Sequence, residues 1–176
     1  MPENCTILCP ADKPKQFVAL VRKIVGDRGR VSVKGKLEDW FSITIKSKGA
    51  SLVLNRRIFR QNADEFSKML SGMWWYFDSV KTHHKAIKAD VLRRVEEHVL
   101  AVGVVAEPEF VAEAGHNEWV FALARALDAM IWNGDGALDS EGRLMLDGEG
   151  KSEFWHVQAE QIAAPDSPRD RRSRGL

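Results

Sequence analysis

The chain has 176 residues, of which 44% are hydrophobic and 29% are charged. A length of this order predicts one domain with a buried core. The 26 Lys and Arg residues nearly balance the 25 Asp and Glu residues and leave a formal charge of +1. This balance argues against a strongly basic nucleic-acid binder and against an acidic, disordered chain. The unusual count is six Trp against one Tyr, because Trp is enriched in cores and at contact surfaces.

Targeting signals and cysteines give an expectation for the compartment. The longest apolar runs, 99–106 and 73–77, are much shorter than the roughly 20 residues of a membrane helix. Glu3 lies in an N-terminus without a basic or apolar leader, which predicts no secretory signal. Cys5 and Cys9 would lie about 13 Å apart on a strand, too far for a disulfide. We therefore expect two buried free thiols in a cytoplasmic protein.

The N-terminal segment predicts a strand followed by a helix. Residues 5–9 favour a short β-strand. Asp12 is placed to cap a helix that begins near Pro14, and Gly26 ends it. The apolar positions of this helix recur at helical spacing: Phe17, Leu20, Val21 and Ile24.

Three strands follow. Apolar and polar residues alternate over 31–37 and again over 41–46, with a short connection at 38–39. A third strand begins at Leu52 and runs towards Phe59. This alternation is typical of half-buried strands with one wet face, and we expect the three to be antiparallel neighbours.

The pattern then changes to helical. Asn62 and Glu65 match a capping pair. An apolar stripe follows at helical spacing: Phe66, Met69, Leu70, Met73 and Phe77. Residues 78–85 form a polar connection, and a second helix is predicted to continue to about Val102. A short buried strand over 103–106 ends the segment.

The C-terminal part predicts a third long helix from Asn117 to the Asn-Gly pair at 133–134, followed by a hairpin over 137–146. Residues 151–164 are a possible helix. Residues 165–176 are rich in Pro and charge, which predicts a disordered basic tail.

These elements predict a single α+β domain over residues 1–150. Its sheet is expected to be mixed or mainly antiparallel, in the order β-α-β-β-β-α-α-β-α-β-β, and to pack against three longer helices. We expect no membrane span.

Catalytic and metal motifs are not found in the sequence. There is no Gly-x-Ser-x-Gly, no phosphate-binding Gly-rich loop and no HExxH or Cys-x-x-Cys pair. The acidic segment 135–147 fails as a calcium loop, because Ala137 and Gly148 stand where oxygen ligands are required. A tight turn explains it without an ion. We therefore expect no cofactor and no metal, and the lack of catalytic motifs favours a non-enzymatic chain while an enzyme stays open as the alternative.

The aromatic run at 73–77 is the strongest candidate for a contact surface. Five large consecutive side chains cover more than one helical turn, so some must point away from the core stripe. One interpretation is a helix enclosed between the sheet and another helix. The other is an exposed aromatic patch beside a basic loop, where a protein partner would bind. The residues of this second interpretation are Trp74, Trp75, Tyr76, His83, His84 and Lys85.

A second candidate site lies at the end of the short buried strand. Glu107, Glu109 and His116 could serve a small-molecule ligand or acid–base chemistry. A solvated loop is the plainer interpretation.

Three segments resemble uncharacterised bacterial domain families: GMWWYF at 72–77, AVGVVAEPEF at 101–110 and FALARALDAMIWNGDGALDSEGRLML at 121–146. In these families a long helix runs into a Gly-rich turn and an Asp-x-x-Gly-Arg-x-Leu hairpin. The resemblance implies a bacterial cytoplasmic domain and assigns no functional residue.

The function expected from the sequence is non-enzymatic binding of a macromolecule. We expect this macromolecule to be another protein and the chain to be an immunity- or accessory-type protein. Nucleic acid is not the expected partner, and the oligomeric state is left open. The alternative is a ligand-binding domain or an enzyme with its site at Glu107, Glu109 and His116.

Overall fold

The structure, a computed structural model, describes residues 4–107 and 117–154. Within these residues there are eight strands: β1 (Cys5–Cys9), β2 (Arg30–Lys36), β3 (Asp39–Ser47), β4 (Ala50–Ile58), β5 (Leu100–Glu107), β6 (Met130–Trp132), β7 (Gly136–Leu138) and β8 (Leu144–Asp147). The same residues form four α-helices: α1 (Pro14–Val25), α2 (Phe59–Ser79), α3 (Lys85–Glu97) and α4 (Asn117–Leu127).

All eight strands belong to one sheet in the order β2-β3-β4-β5-β1-β6-β7-β8. Every neighbouring pair is antiparallel. The predicted single α+β domain is therefore confirmed, with a sheet that is antiparallel throughout its described strands. The N-terminal strand β1 lies inside the sheet, between β5 and β6.

Helices cover both faces of the sheet and create two cores. α1 and α4 pack on one face with Leu100, Val102 and Val104 of β5. α2 and α3 pack on the other face, where Ala101 of β5 and Leu8 of β1 are buried. Because successive strand residues point to opposite faces, β1 and β5 are buried on both sides and read as continuous apolar runs.

The outer strands keep one wet face, as the alternation predicted. Val31 and Val33 of β2 pack against the first core, whereas Ser32 and Lys34, which alternate with them, are exposed. The Cys prediction is confirmed as well, since Cys5 and Cys9 are buried and neither forms a disulfide. Burial, aided by the nearby charge of Asp12, raises the pKa of the Cys9 thiol to about 12.

α1 begins at Pro14 as predicted, but its predicted cap and the predicted start of α2 are wrong. Asp12 does not cap α1, because its carboxylate pairs with Arg56, and Lys13 occupies the cap position without a side-chain hydrogen bond. α2 begins at Phe59 rather than at Asn62. The chain turns from β4 directly into the helix, so no side-chain cap separates the two elements.

Two predicted helix ends are also wrong. α3 ends at Glu97, and Val102, assigned to that helix from its spacing, lies in β5. α4 ends at Leu127, and Asp128 takes a positive φ of 50°. The chain then returns as β6, whose Ile131 pairs with Ile7 of β1.

The C-terminal predictions have mixed outcomes. The hairpin is present as β7 and β8. Residues 153–154 form a turn rather than part of a helix. The rest of the predicted helix, and the tail at 165–176, lie outside the described residues.

A buried cation links α1 to the sheet. The Arg56 side chain is only 3% exposed. Its guanidinium donates to Asp12 Oδ2 at 2.7 Å and to Asp39 Oδ1 at 3.2 Å, and it lies 5.5 Å from the centroid of the Trp40 ring. Removing one partner of a buried ion pair leaves an uncompensated charge and costs more than replacing the charge by an apolar group.

We therefore expect Asp12→Ala to lower the free energy of unfolding by about 3 kcal/mol, because the half-exposed Asp39 at 3.2 Å compensates the buried guanidinium only in part. Arg56→Met keeps the aliphatic volume and leaves two carboxylates that reach solvent, so its cost should be about 1 kcal/mol. Urea denaturation of the wild-type protein and of both variants gives their free energies of unfolding, which tests this order of losses. A larger loss for Arg56→Met than for Asp12→Ala would contradict this account.

Candidate functional site

The core stripe of α2 sets the directions of its aromatic side chains. Met73 and Phe77 are buried against the sheet. At 3.6 residues per turn, position 75 lies about 200° around the helix from both, so Trp75 must point away from the sheet. Its side chain is accordingly 67% exposed.

Trp74 points sideways towards α3. Its indole Nε1–H donates to Glu96 Oε1 at 2.7 Å, and its ring meets that of Trp75 edge to face with centroids 5.3 Å apart. The two rings and α3 enclose a groove of about 300 Å³. We call it the aromatic groove; its lining residues are Leu70, Ser71, Trp74, Trp75, Val95 and Glu96.

Tyr76 points to the other side of α2 and serves packing. Its ring meets Phe77 and Trp132 edge to face, and its hydroxyl donates to the Asp135 carbonyl oxygen at 2.9 Å. Burial, followed by the charges of Asp135 and Asp147, raises the pKa of the Tyr76 phenol. Of the three aromatic candidates, Trp75 is the one that faces solvent.

The two adjacent histidines have different environments. His83 is exposed, whereas His84 is only 5% exposed, so the predicted exposed basic loop is wrong at His84. Their ring centroids lie 3.9 Å apart. Burial, followed by the neighbouring His83, lowers the pKa of His84. Lys85 is exposed as the first residue of α3.

Both histidines line a second, larger depression of about 720 Å³. We call it the histidine cleft; its lining residues are Lys81, Thr82, His83, His84, Glu149, Gly150, Lys151 and Ser152. Four of these follow β8 and were not singled out by the sequence. The aromatic groove and the histidine cleft share no lining residue.

The alternative site at the end of β5 is described only in part. Glu107 is exposed and pairs with Ser51 in the β4–β5 ladder. Glu109 and His116 lie outside the described residues.

The acidic hairpin forms the turn that its sequence predicted. Asp139 Oδ1 accepts hydrogen bonds from the backbone amides of Glu141 and Arg143, each at 2.9 Å. Its Oδ2 accepts from Arg143 Nε at 2.7 Å. Within residues 4–107 and 117–154, no three His, Cys, Asp or Glu side chains are grouped so that they could hold a metal ion.

Comparisons with protein-family models, with curated proteins and with solved structures give no match to this chain. The resemblance to bacterial domain families therefore stays a prediction, and Met145 stands where their hairpin pattern has Leu. None of the helices in the described part of the chain is long and apolar enough to cross a bilayer.

His98, between α3 and β5, is the most perturbed histidine among the described residues. It is 4% exposed. Burial, followed by the positive charge of Arg94, lowers its pKa from 6.5 to about 4. The opposing charge of Asp128 is outweighed. Between pH 6.5 and about pH 4, His98 is therefore neutral in the folded protein and protonated in the unfolded chain.

Because the unfolded state binds the extra proton, stability should fall as the pH drops from about 6.5 towards 4. The contribution of His98 to this loss is on the order of 3 kcal/mol. We expect His98→Leu to remove most of this acid-dependent loss of stability. His83→Leu, at an exposed position, should leave the loss unchanged. Urea denaturation at neutral pH and near pH 4.5 measures both. An unchanged pH dependence in His98→Leu would overturn the assignment.

Proposed function

We propose that this protein is a non-enzymatic binding protein that recognises another protein through the aromatic groove. The observation that supports this best is the indole of Trp75, which is two-thirds exposed at the rim of an apolar depression. Large exposed apolar side chains beside a groove mark contact sites. Trp is also the residue type most enriched among those that dominate binding energy.

The groove is held in shape before any partner arrives. The hydrogen bond from Trp74 to Glu96 ties α2 to α3, and the edge-to-face contact positions Trp75 against Trp74. A rigid aromatic surface loses little conformational entropy on binding. Pre-organisation of this kind favours recognition over a purely structural role for Trp75.

The size and lining of the groove indicate what it accepts. A volume of about 300 Å³ lies at the lower limit of small-molecule pockets and suits one large apolar side chain of a partner. Leu70 and Val95 provide apolar walls, and Glu96 adds a carboxylate at the rim. The proposed partner therefore presents an apolar side chain flanked by a cation or another hydrogen-bond donor.

The proposal also includes the compartment and the source of the protein. Two buried cysteines that form no disulfide suit a reducing cytoplasm, and the resemblance to bacterial families points to a bacterial source. An immunity- or accessory-type role fits a small binding protein of this kind. The enzymatic alternative at Glu107, Glu109 and His116 is supported by the sequence alone.

The proposal predicts that contact with the partner is centred on position 75. A photo-crosslinking amino acid at position 75 should capture the partner in cells of the source organism. The same group at position 41, where Phe41 is 58% exposed, should not. For the captured partner, Trp75→Ala should weaken binding by about 2 kcal/mol, roughly 30-fold.

The stability of the same variants serves as a control for correct folding. Trp75→Ala should change the free energy of unfolding by no more than about 0.5 kcal/mol, because the side chain is mostly exposed. Phe41→Ala serves as the matched aromatic truncation. Equal affinity of the folded Trp75→Ala and wild-type proteins, or capture from position 41 as strong as from position 75, would refute the proposal.

A further inference from the structure

The aromatic groove contains a carboxylate without a cationic partner. Glu96 is the one charged side chain among the described residues that line the groove. The two other carboxylates of α3, Asp90 and Glu97, form ion pairs with arginines of the same helix. Glu96 forms no ion pair within the part of the chain that the structure describes. Its negative charge is therefore open to a cation that enters the groove.

The position of this carboxylate is fixed by the groove itself. Glu96 Oε1 accepts the indole Nε1–H of Trp74 at 2.7 Å. The described residues donate no further hydrogen bond to Glu96, so Oε2 keeps its full capacity as an acceptor. A charged acceptor that is already held in place loses little conformational entropy when a donor arrives.

The two indole rings favour the same kind of ligand. The ring planes of Trp74 and Trp75 stand at 86° to one another, so the rings present walls in two directions. The face of an aromatic ring carries negative potential, and Trp attracts cations more strongly than Tyr or Phe does. Two indoles and one carboxylate therefore favour a cation over a neutral group of the same size.

The remaining walls indicate the type of cation. Leu70 is half-buried and Val95 is buried, and both line the groove with apolar surface. Such walls suit an aliphatic stem and disfavour a strongly hydrated ion. The arginine side chain has such a stem, and its planar guanidinium stacks on aromatic rings and is more weakly hydrated than an ammonium. Arginine is also enriched at protein interfaces, where lysine is depleted.

We propose that the aromatic groove receives an arginine side chain of the protein partner. This inference rests on the proposed function, because it names the side chain that the partner presents to the groove. The guanidinium lies over the indole rings and donates to Glu96 Oε2. The aliphatic stem packs on Leu70 and Val95. A lysine and a wholly apolar side chain are the competing occupants.

The test titrates the full chain with Nα-acetyl-L-arginine amide and with Nα-acetyl-L-citrulline amide at constant ionic strength. Citrulline has nearly the same shape as arginine, but a neutral urea group replaces its guanidinium. The indole ¹H–¹⁵N signals of Trp74 and Trp75 report occupancy of the groove. The arginine compound should shift these signals saturably and bind at least about tenfold more tightly than the citrulline compound. The corresponding lysine and leucine amides should also bind more weakly than the arginine compound.

A matched pair of variants isolates the charge of Glu96. Glu96→Gln keeps an oxygen that accepts from Trp74 and removes the negative charge. It should weaken binding of the arginine compound by at least about fivefold and leave binding of the citrulline compound unchanged. Asp64→Asn removes the same charge at an exposed position on α2, about 15 Å along the helix axis from Trp74. It should leave binding of the arginine compound unchanged.

Several results would overturn the inference. These are the absence of saturable shifts with the arginine compound, equal binding of the citrulline compound, and equal weakening by the two variants. Tighter binding of the lysine or leucine amide would assign the groove to that side chain instead. None of these results touches the proposed function, which depends on capture from position 75 and on the affinity of the captured partner. Failure of that capture while the arginine compound still binds would refute the proposed function alone.

Discussion

Pairing of the first strand with two distant strands is the constraint on which the rest of the structure depends. β1 pairs on one side with β5 and on the other with β6, so that Ile7 lies opposite both Val102 and Ile131. An antiparallel sheet often keeps one face in water. Here helices cover both faces around β1 and β5. The chain must therefore supply a core on each side, and it divides its helices between them.

That division fixes the surfaces available for function. Because α2 must bury Met73 and Phe77 against the second face, helical geometry turns Trp75 outwards and turns Trp74 and Tyr76 to either side. α3 receives Trp74, and the β6–β7 region receives Tyr76. The exposed indole is thus a consequence of how the second core is built, and its position is as rigid as that core.

The sequence predicted best where one face of an element meets water. β2, β3 and β4 alternate in polarity because one face of each strand is in water. The β7–β8 hairpin is recognisable from the turn residues at 139–142. The buried strand predicted over 103–106 is present as part of β5, but its start is placed three residues too late and β6 is missed, since strands buried on both faces do not alternate. Val102 and Ile131 also fit helical spacing, so the preceding helices were extended over them. What decides between these structures is the pairing with β1, which is not local in the sequence.

The aromatic groove and the histidine cleft also differ in how far the sequence could indicate them. The orientation of Trp75 follows from the stripe of α2 alone, so a sequence could have indicated it. The burial of His84 could not be predicted, because Thr82 and Gly150 are 68 residues apart in the chain. The sequence shows the two adjacent histidines, but the cleft that they line forms only through the contact between Thr82 and Gly150.

α3 lies between the histidine cleft and the aromatic groove. Its N-cap residue His84 lines the cleft, whereas Val95 and Glu96 near its end line the groove. At 1.5 Å per residue, Lys85 and Glu96 are about 16 Å apart along the axis. Two buried valines, Val91 and Val95, anchor the helix to the second core, while ion pairs of Asp90 with Arg93 and Arg94 support its exposed side. A helix held in this way fixes the position of the aromatic groove relative to the second core.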